Sequence, residues 1–311
     1  MRIQALQMRP FSPWLEQELH SRFEVHRWFE ISDRERFLSE RGQSIKAVVT
    51  GGEIGLSPEL MARLPTLGIV AINGVGFDKV DLEESKRRGI RVTTTPGVLT
   101  DDVADLAIGL VIALLRGIPS SDRYVRDGAW PSGGERPLAR KVTGRRFGII
   151  GLGNIGAAIA ARLVAFGPIA YCDISPRQVP YAFVPSAVEL ARGSDVLILA
   201  TTANASTRRL VGREVLDALG PNGYLINVAR GSLVDEDELI RALGANRIGG
   251  AALDVFSDEP RVPEALRAAP NVVVTPHIAS ATFETREAMA RAVLTNLDAF
   301  LAGQPSPGAI A

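Results

Sequence analysis

Arg230, Glu259 and His277 each follow a strand-like apolar run, in INVARG, LDVFSDEP and VTPHIAS. That is where parallel α/β sheets present the residues that meet a ligand. Taken singly, each has a plain reading: a surface arginine, a solvated turn before proline, a packed or exposed histidine of the kind expected for His20 and His26. Taken together they suit the reduction of a ketone beside a carboxylate. A planar guanidinium grips a carboxylate through two parallel charge-assisted hydrogen bonds. An imidazole titrates near neutrality and can protonate a developing alkoxide. A carboxylate beside the imidazole fixes its tautomer and favours its charged form. The set lacks only a hydride, which a cofactor must supply.

Arg146 to Asp173, RFGIIGLGNIGAAIAARLVAFGPIAYCD, has the form of a site for such a cofactor. A buried strand is expected over Phe147–Ile150. GLGNIG fills the turn, and Ile155, Ile159, Leu163 and Phe166 recur at helical spacing. A second short strand, Ile169–Cys172, ends at Asp173. Gly151 permits the tight turn, Gly153 lets the backbone approach a pyrophosphate, and Gly156 lets helix and strand pack closely. The anion then sits on the unpaired N–H groups at the helix N-terminus. A glycine pattern alone would say little. Here strand, turn, helix, second strand and terminal acid all stand in order.

The remaining elements must hold these residues in place. Residues 1–98 alternate short strands (Ile3–Met8, Ala47–Thr50, Ile69–Ile72, Ile90–Thr94) with helices, one of them expected over Pro13–Phe23. Strand-like runs resume from Arg146 and continue at 195–201, 224–228, 249–255 and 272–275. A long amphipathic helix over Glu284–Leu301 closes the chain. The expected architecture is α/β, with two Rossmann/flavodoxin-like parallel-sheet domains. The mid-chain glycine unit makes residues 99–282 the dinucleotide-binding domain, inserted into a substrate-binding domain of residues 1–98 plus 283–311. Between the two lies TDDVADLAIGLVIALLRGI, a helix over 101–117 that is apolar all round and so must be buried on every side. Burial between domains is the plain reading, and burial between two subunits is the favoured one.

The chain has 311 residues and no formal net charge, with 46% hydrophobic and 23% charged residues. That is the composition of a globular protein. It lacks the basic footprint of a nucleic-acid or anionic-membrane binder. One cysteine, Cys172, allows no internal disulfide. The N-terminal segment MRIQALQMRPFSPW has no apolar core of a signal peptide, and Val103–Leu115 is too short to span a bilayer. A cytoplasmic protein without membrane or nucleic-acid partners is expected, and no metal site.

NGVGFDKVDL, TPGVLTDDVADLAIGL, GIIGLGNIG, INVARGSLVDEDEL, GGAALDVFSDEP and TPHIAS stand in the order of the motifs of the D-2-hydroxyacid dehydrogenases, which the sequence resembles over nearly its whole length. It is most similar to the branch of glyoxylate/hydroxypyruvate reductases and hydroxyphenylpyruvate reductases. The resemblance implies an oxidoreductase acting on a small 2-oxoacid or 2-hydroxyacid. It implies Arg230 for the substrate carboxylate, His277 as proton donor and Glu259 as the partner of that histidine. It assigns Leu152, Gly153, Asn154 and Ile155 to the pyrophosphate loop, Asp254 to the nicotinamide carboxamide, and Val228 and Ala279 to backbone positions lining the nicotinamide. Val75 and Gly76 become the loop whose amides hold the substrate carboxylate. A homodimer through the 101–117 helix is also implied, with the segment around Trp130 reaching the neighbouring subunit.

Two departures bear on the cofactor. Where relatives usually carry proline after the fourth cofactor strand, this chain reads Ala200, Thr201, Thr202. NADPH-dependent members of the branch tend to carry Ser-Arg where Asp173 and Ile174 stand. A carboxylate there accepts hydrogen bonds from a ribose diol and repels a 2′-phosphate, which Arg177 would partly offset. NAD(H) is therefore expected over NADP(H). The alternatives are a reductase of aromatic 2-oxoacids such as hydroxyphenylpyruvate and, from another class, a dinucleotide-sensing protein without catalysis.

Overall fold

The computed structural model describes residues 2–131, 133 and 136–311. The chain forms two compact units, Met1–Leu99 with Ala281–Ala311, and Thr100–Ser280.

In the first unit, β1 (Ile3–Gln7), β2 (Phe23–Arg27), β3 (Ile45–Gly51), β4 (Ile69–Asn73) and β5 (Arg91–Thr93) form one parallel sheet in the order β2-β1-β3-β4-β5. Alternate side chains leave a strand on opposite faces. Leu6, Val48, Val70 and Ile72 accordingly pack with Leu38, Leu60, Met61 and Leu64. Ala5, Ala47, Val49, Ile69 and Ala71 pack on the other face with Leu15, Leu19, Val293, Leu294 and Leu297. Both faces are covered, which is why the strands read as continuous apolar runs. The residues of the second cluster above 290 come from the helix Phe283–Leu301, so the end of the chain completes the core of its beginning. One element differs from expectation. The helix Pro13–Arg22 stops one residue early and Phe23 opens β2, an edge strand in which Phe23 alone is buried. FEVHR has no apolar run to announce a strand.

In the second unit, β6 (Phe147–Ile150), β7 (Ile169–Cys172), β8 (Ala182–Phe183), β9 (Val196–Leu199), β10 (Tyr224–Asn227), β11 (Gly250–Leu253) and β12 (Val272–Val274) form a parallel sheet in the order β12-β11-β10-β9-β6-β7-β8. The order reverses between β6 and β9. This is the switch point at which doubly wound sheets open a crevice beyond their carboxyl ends. β8 has two residues, too few to leave a sequence pattern.

The apolar helix Thr100–Arg116 packs against the helix Asn154–Leu163 and β10 to β12 of the same unit. It buries Val103, Ala104, Ala107, Leu110, Val111 and Leu115, while Ile108 and Ile112 on its other face are only partly covered. Downstream, Ile118, Val125, Trp130 and Leu138 are exposed. Ser132, Gly134 and Glu135, in the segment after Trp130, lie outside the described residues. Among the described residues no single helix is long and apolar enough to cross a membrane.

Candidate active site

The glycine turn between β6 and the helix Asn154–Leu163 sits at the switch point. Gly151 has φ +90°, which favours glycine. A Cβ there would also lie 2.7 Å from the backbone of Thr201, in the loop after β9. A Cβ on Gly156 would lie 2.0 Å from the Gly151 carbonyl oxygen, so helix and turn touch backbone to backbone. Gly153 is different. A Cβ on it would meet no protein atom within 4 Å, so internal packing does not demand glycine there. Close approach of a ligand would. Gly153 is also the helix N-cap and offers no side chain to the first N–H groups, including those of Asn154 and Ile155. A bare helix N-terminus beside an open glycine fits a pyrophosphate.

Asp173, at the end of β7, is tied into this turn. Its carboxylate accepts from the Leu152 N–H (3.0 Å), the Ile174 N–H (2.7 Å) and the Arg177 Nε (2.9 Å). Burial alone would raise its pKa, but the two amides and the guanidinium outweigh it and hold the group below the usual aspartate value. It is therefore a fixed anion at the end of β7, beside the glycine turn.

Arg230, Glu259 and His277 come together at the ends of β10, β11 and β12. His277 Nδ1 lies 2.7 Å from Glu259 Oε2. The other oxygen, Glu259 Oε1, accepts from the Phe256 N–H at 3.0 Å. Burial would raise the Glu259 pKa, but the hydrogen bond and charge of His277, the Phe256 amide and the nearby Arg230 guanidinium bring it below the ordinary glutamate value. Arg230 is thus an electrostatic neighbour of the pair, and its own Nη1 donates to the Ala229 carbonyl at 2.7 Å.

The reason these loops meet lies in residues with no obvious chemistry. A Cβ on Gly231 would lie 2.0 Å from the Phe256 carbonyl carbon, so only glycine allows the Arg230 loop against the Glu259 loop. Asn227 closes an Asx-type turn, accepting from the Ala229 N–H (3.0 Å) and donating to the Arg230 carbonyl (2.9 Å). Glu236 Oε1 accepts from the Ser257 N–H at 2.7 Å and so pins the loop that carries Glu259. Burial, aided by the neighbouring Asp237 and Glu259 charges, raises its pKa despite that bond.

Asp254 is fully buried and holds the His277 loop. Its carboxylate accepts from Thr275 Oγ1 (2.7 Å), the Ile278 N–H (2.8 Å) and the Ala279 N–H (3.0 Å). Its carbonyl accepts from the His277 N–H at 2.8 Å. His277 has φ +54°, in the left-handed region, and this set of bonds holds it there. Burial raises the Asp254 pKa, and its hydrogen bonds only partly offset that. The resemblance assigns Asp254 to the cofactor; its bonds within the protein make it first a staple for the histidine loop. Val228 and Ala279 are buried beside these residues along the chain. Val75 and Gly76 follow β4 and belong to the first unit, whereas the set above belongs to the second. Neither of their amides has an intramolecular acceptor among the described residues.

A doubly wound sheet with a glycine turn at its switch point and a histidine–carboxylate pair at its carboxyl edge defines a nicotinamide-dependent dehydrogenase. Residues 108–279 match the family model of the D-isomer specific 2-hydroxyacid dehydrogenase NAD binding domain. The chain is 50% identical over 305 residues to the hydroxyphenylpyruvate reductase of Plectranthus scutellarioides, covering 97% of each. It is equally similar, 50% over 305 residues and 97% of each chain, to a glyoxylate/hydroxypyruvate reductase of Arabidopsis thaliana. A crystal structure of the NADPH-dependent glyoxylate/hydroxypyruvate reductase of Sinorhizobium meliloti, in complex with NADP and malonate, superposes with a TM-score of 0.94 at 42% identity, over 100% of this chain and 97% of that one. The chain belongs to the D-isomer specific 2-hydroxyacid dehydrogenase family and is an NAD(P)-dependent oxidoreductase. This displaces the non-enzymatic sensor reading.

Proposed function

We propose that the protein reduces small 2-oxoacids of the glyoxylate and hydroxypyruvate type to D-2-hydroxyacids. The observation that carries this reading is the 2.7 Å contact between His277 and Glu259 with Arg230 acting on the same carboxylate. Arg230 binds and orients the substrate carboxylate. His277 delivers a proton from Nε2 to the carbonyl oxygen as it gains charge. Glu259, on Nδ1, keeps the ring oriented. The nicotinamide, when bound, supplies the hydride. The Gly151–Gly156 turn would hold its pyrophosphate, Asp173 its ribose, and Val228, Asp254 and Ala279 its nicotinamide end.

NAD(H) is the preferred cofactor in this reading. The fixed charge of Asp173 opposes a 2′-phosphate, and the Arg177 guanidinium is already paired with that aspartate. The protein acts as a homodimer in which Ile108, Ile112, Ile118, Val125 and Trp130 face a second copy. Its place is the cytoplasm, and its one thiol, Cys172, is kept protonated by burial and by Asp173.

The test follows oxidation of NADH and of NADPH with glyoxylate, hydroxypyruvate and hydroxyphenylpyruvate, for wild type and His277→Gln. Wild type should show its highest kcat/KM with NADH and one of the two smaller acids. The variant should lose about 10²- to 10⁴-fold in kcat and keep its affinity for NADH. Tight NADH binding without turnover of any 2-oxoacid would overturn the reading. Preference for hydroxyphenylpyruvate would replace the substrate class.

A further inference from the structure

One carboxylate of the second unit is not explained by the helix it belongs to. Glu236 is the first residue of the helix Glu236–Gly244. The N-cap of that helix is Asp235, whose Oδ1 accepts from the Glu238 N–H at 3.2 Å, and Asp237 and Glu238 place further acids in the same turn. Glu236 is partly buried and forms no ion pair among the described residues. Burial and the like charges of Asp237 and Glu259 raise its pKa, so its ionised form lowers the stability of the fold. The reason for a carboxylate here lies in what it touches.

Glu236 Oε1 accepts from the Ser257 N–H at 2.7 Å. That N–H belongs to the peptide joining Phe256 to Ser257, and the same peptide lies against Gly231. A Cβ on Gly231 would stand 2.0 Å from the Phe256 carbonyl carbon, 2.3 Å from its oxygen and 2.3 Å from the Ser257 nitrogen. The peptide is thus held against Gly231 and fastened at its N–H by Glu236. Arg230 precedes Gly231 in the chain. Glu259 takes the N–H of the peptide just before, that of Phe256, at 3.0 Å. Ser257, Asp258 and Pro260 are exposed, so water competes for the rest of this turn.

The base from which Glu236 reaches is itself fixed. The Arg209 N–H donates to the Ser232 carbonyl (2.8 Å), the Val211 N–H to the Leu233 carbonyl (2.9 Å) and the Asp235 N–H to the Val211 carbonyl (3.0 Å), which ties residues 232–235 to the loop after β9. Arg209 has φ +52°, a left-handed conformation unusual for a long side chain, and this pairing holds it.

We propose that Glu236 is a positioning residue: by holding the Phe256–Ser257 peptide it keeps Glu259 in register with His277 and with the Arg230 loop. This rests on the 2-oxoacid reductase reading given above, in which Glu259 orients the imidazole. The role belongs to the acceptor oxygen and its reach, not to the charge.

Two substitutions separate reach from charge. Glu236→Asp keeps the charge and suits the helix start, but its carboxylate is withdrawn by about 1.5 Å and falls short of the Ser257 N–H. Glu236→Gln keeps the length and an acceptor oxygen and loses the charge. Glu236→Asp should lower kcat for hydroxypyruvate reduction at saturating NADH by about 10- to 100-fold, as a displaced catalytic group does, and leave NADH affinity unchanged. Glu236→Gln should stay close to wild type in both. Glu236→Ala, which removes the acceptor outright, serves if Glu236→Asp fails to fold. Amide hydrogen exchange reads the clamp without turnover: the Ser257 and Phe256 N–H groups should exchange about 10-fold faster in Glu236→Asp than in wild type or Glu236→Gln. Equal kcat in Glu236→Asp and wild type overturns the proposal. So does a loss in Glu236→Gln as large as that in Glu236→Asp, which would assign the effect to charge. If wild type turns over no 2-oxoacid, the function reading fails; faster exchange at Phe256 in Glu236→Asp then still supports the clamp, and equal exchange overturns it.

Discussion

At the carboxyl edge of the seven-stranded sheet the protein satisfies its own charges. Glu259 is bound by His277 and a backbone amide, Asp254 by a hydroxyl and two amides, and Asp173 by two amides and Arg177. On the helix Phe283–Leu301 the partly buried Arg286 has no side-chain acceptor among the described residues. The difference separates two kinds of polar site. Groups that must transfer a proton at a fixed place are held rigid before any ligand arrives. A partly buried cation left without an acceptor instead costs the fold some stability.

Substitution at each edge sharpens this contrast. Asp254→Ala should have the largest effect on stability. It strands the Ile278 and Ala279 amides and the Thr275 hydroxyl around a fully buried position, for a loss of about 2–4 kcal/mol in urea unfolding. Arg286→Met should do the reverse. Replacing an unmatched, partly buried cation by an apolar side chain of similar length should leave stability unchanged or raise it by up to about 1 kcal/mol. A large loss in Arg286→Met, or none in Asp254→Ala, would erase the distinction.

The carboxylates also set opposite responses to pH. Glu259 and Asp173 lie below their usual values in the fold. They add stability above the unfolded-state range and lose it as pH falls through the lowered values. Asp254 and Glu236 lie above theirs. For them the native state binds protons more tightly than the unfolded chain, so they reduce stability as pH rises into the raised range.

Much of this is legible in the sequence. Buried parallel strands announce themselves as apolar runs, and the residue after each run falls at the sheet's carboxyl edge. Arg230, Glu259 and His277 stand out for that reason. Gly151 and Gly156 are legible because each excludes a Cβ for a local backbone reason. β2 and β8 are not, since FEVHR lies at an edge with only Phe23 buried and β8 is two residues long. Nor are the supporting contacts. Gly231 is glycine because of Phe256, Glu236 matters through Ser257, and Arg286 stands out only against Arg9 and Glu53; each depends on a partner distant in sequence.

The account stands on the pairing of Glu259 with His277, and kcat for hydroxypyruvate reduction at saturating NADH in wild type and Glu259→Gln tests it most directly. Gln removes the negative charge facing Nδ1 while keeping the shape of the side chain. The variant should lose about 10- to 100-fold in kcat and keep its affinity for NADH, because the imidazole loses the charged hydrogen-bond partner that orients it. An unchanged kcat would contradict the pairing and, with it, the assigned chemistry.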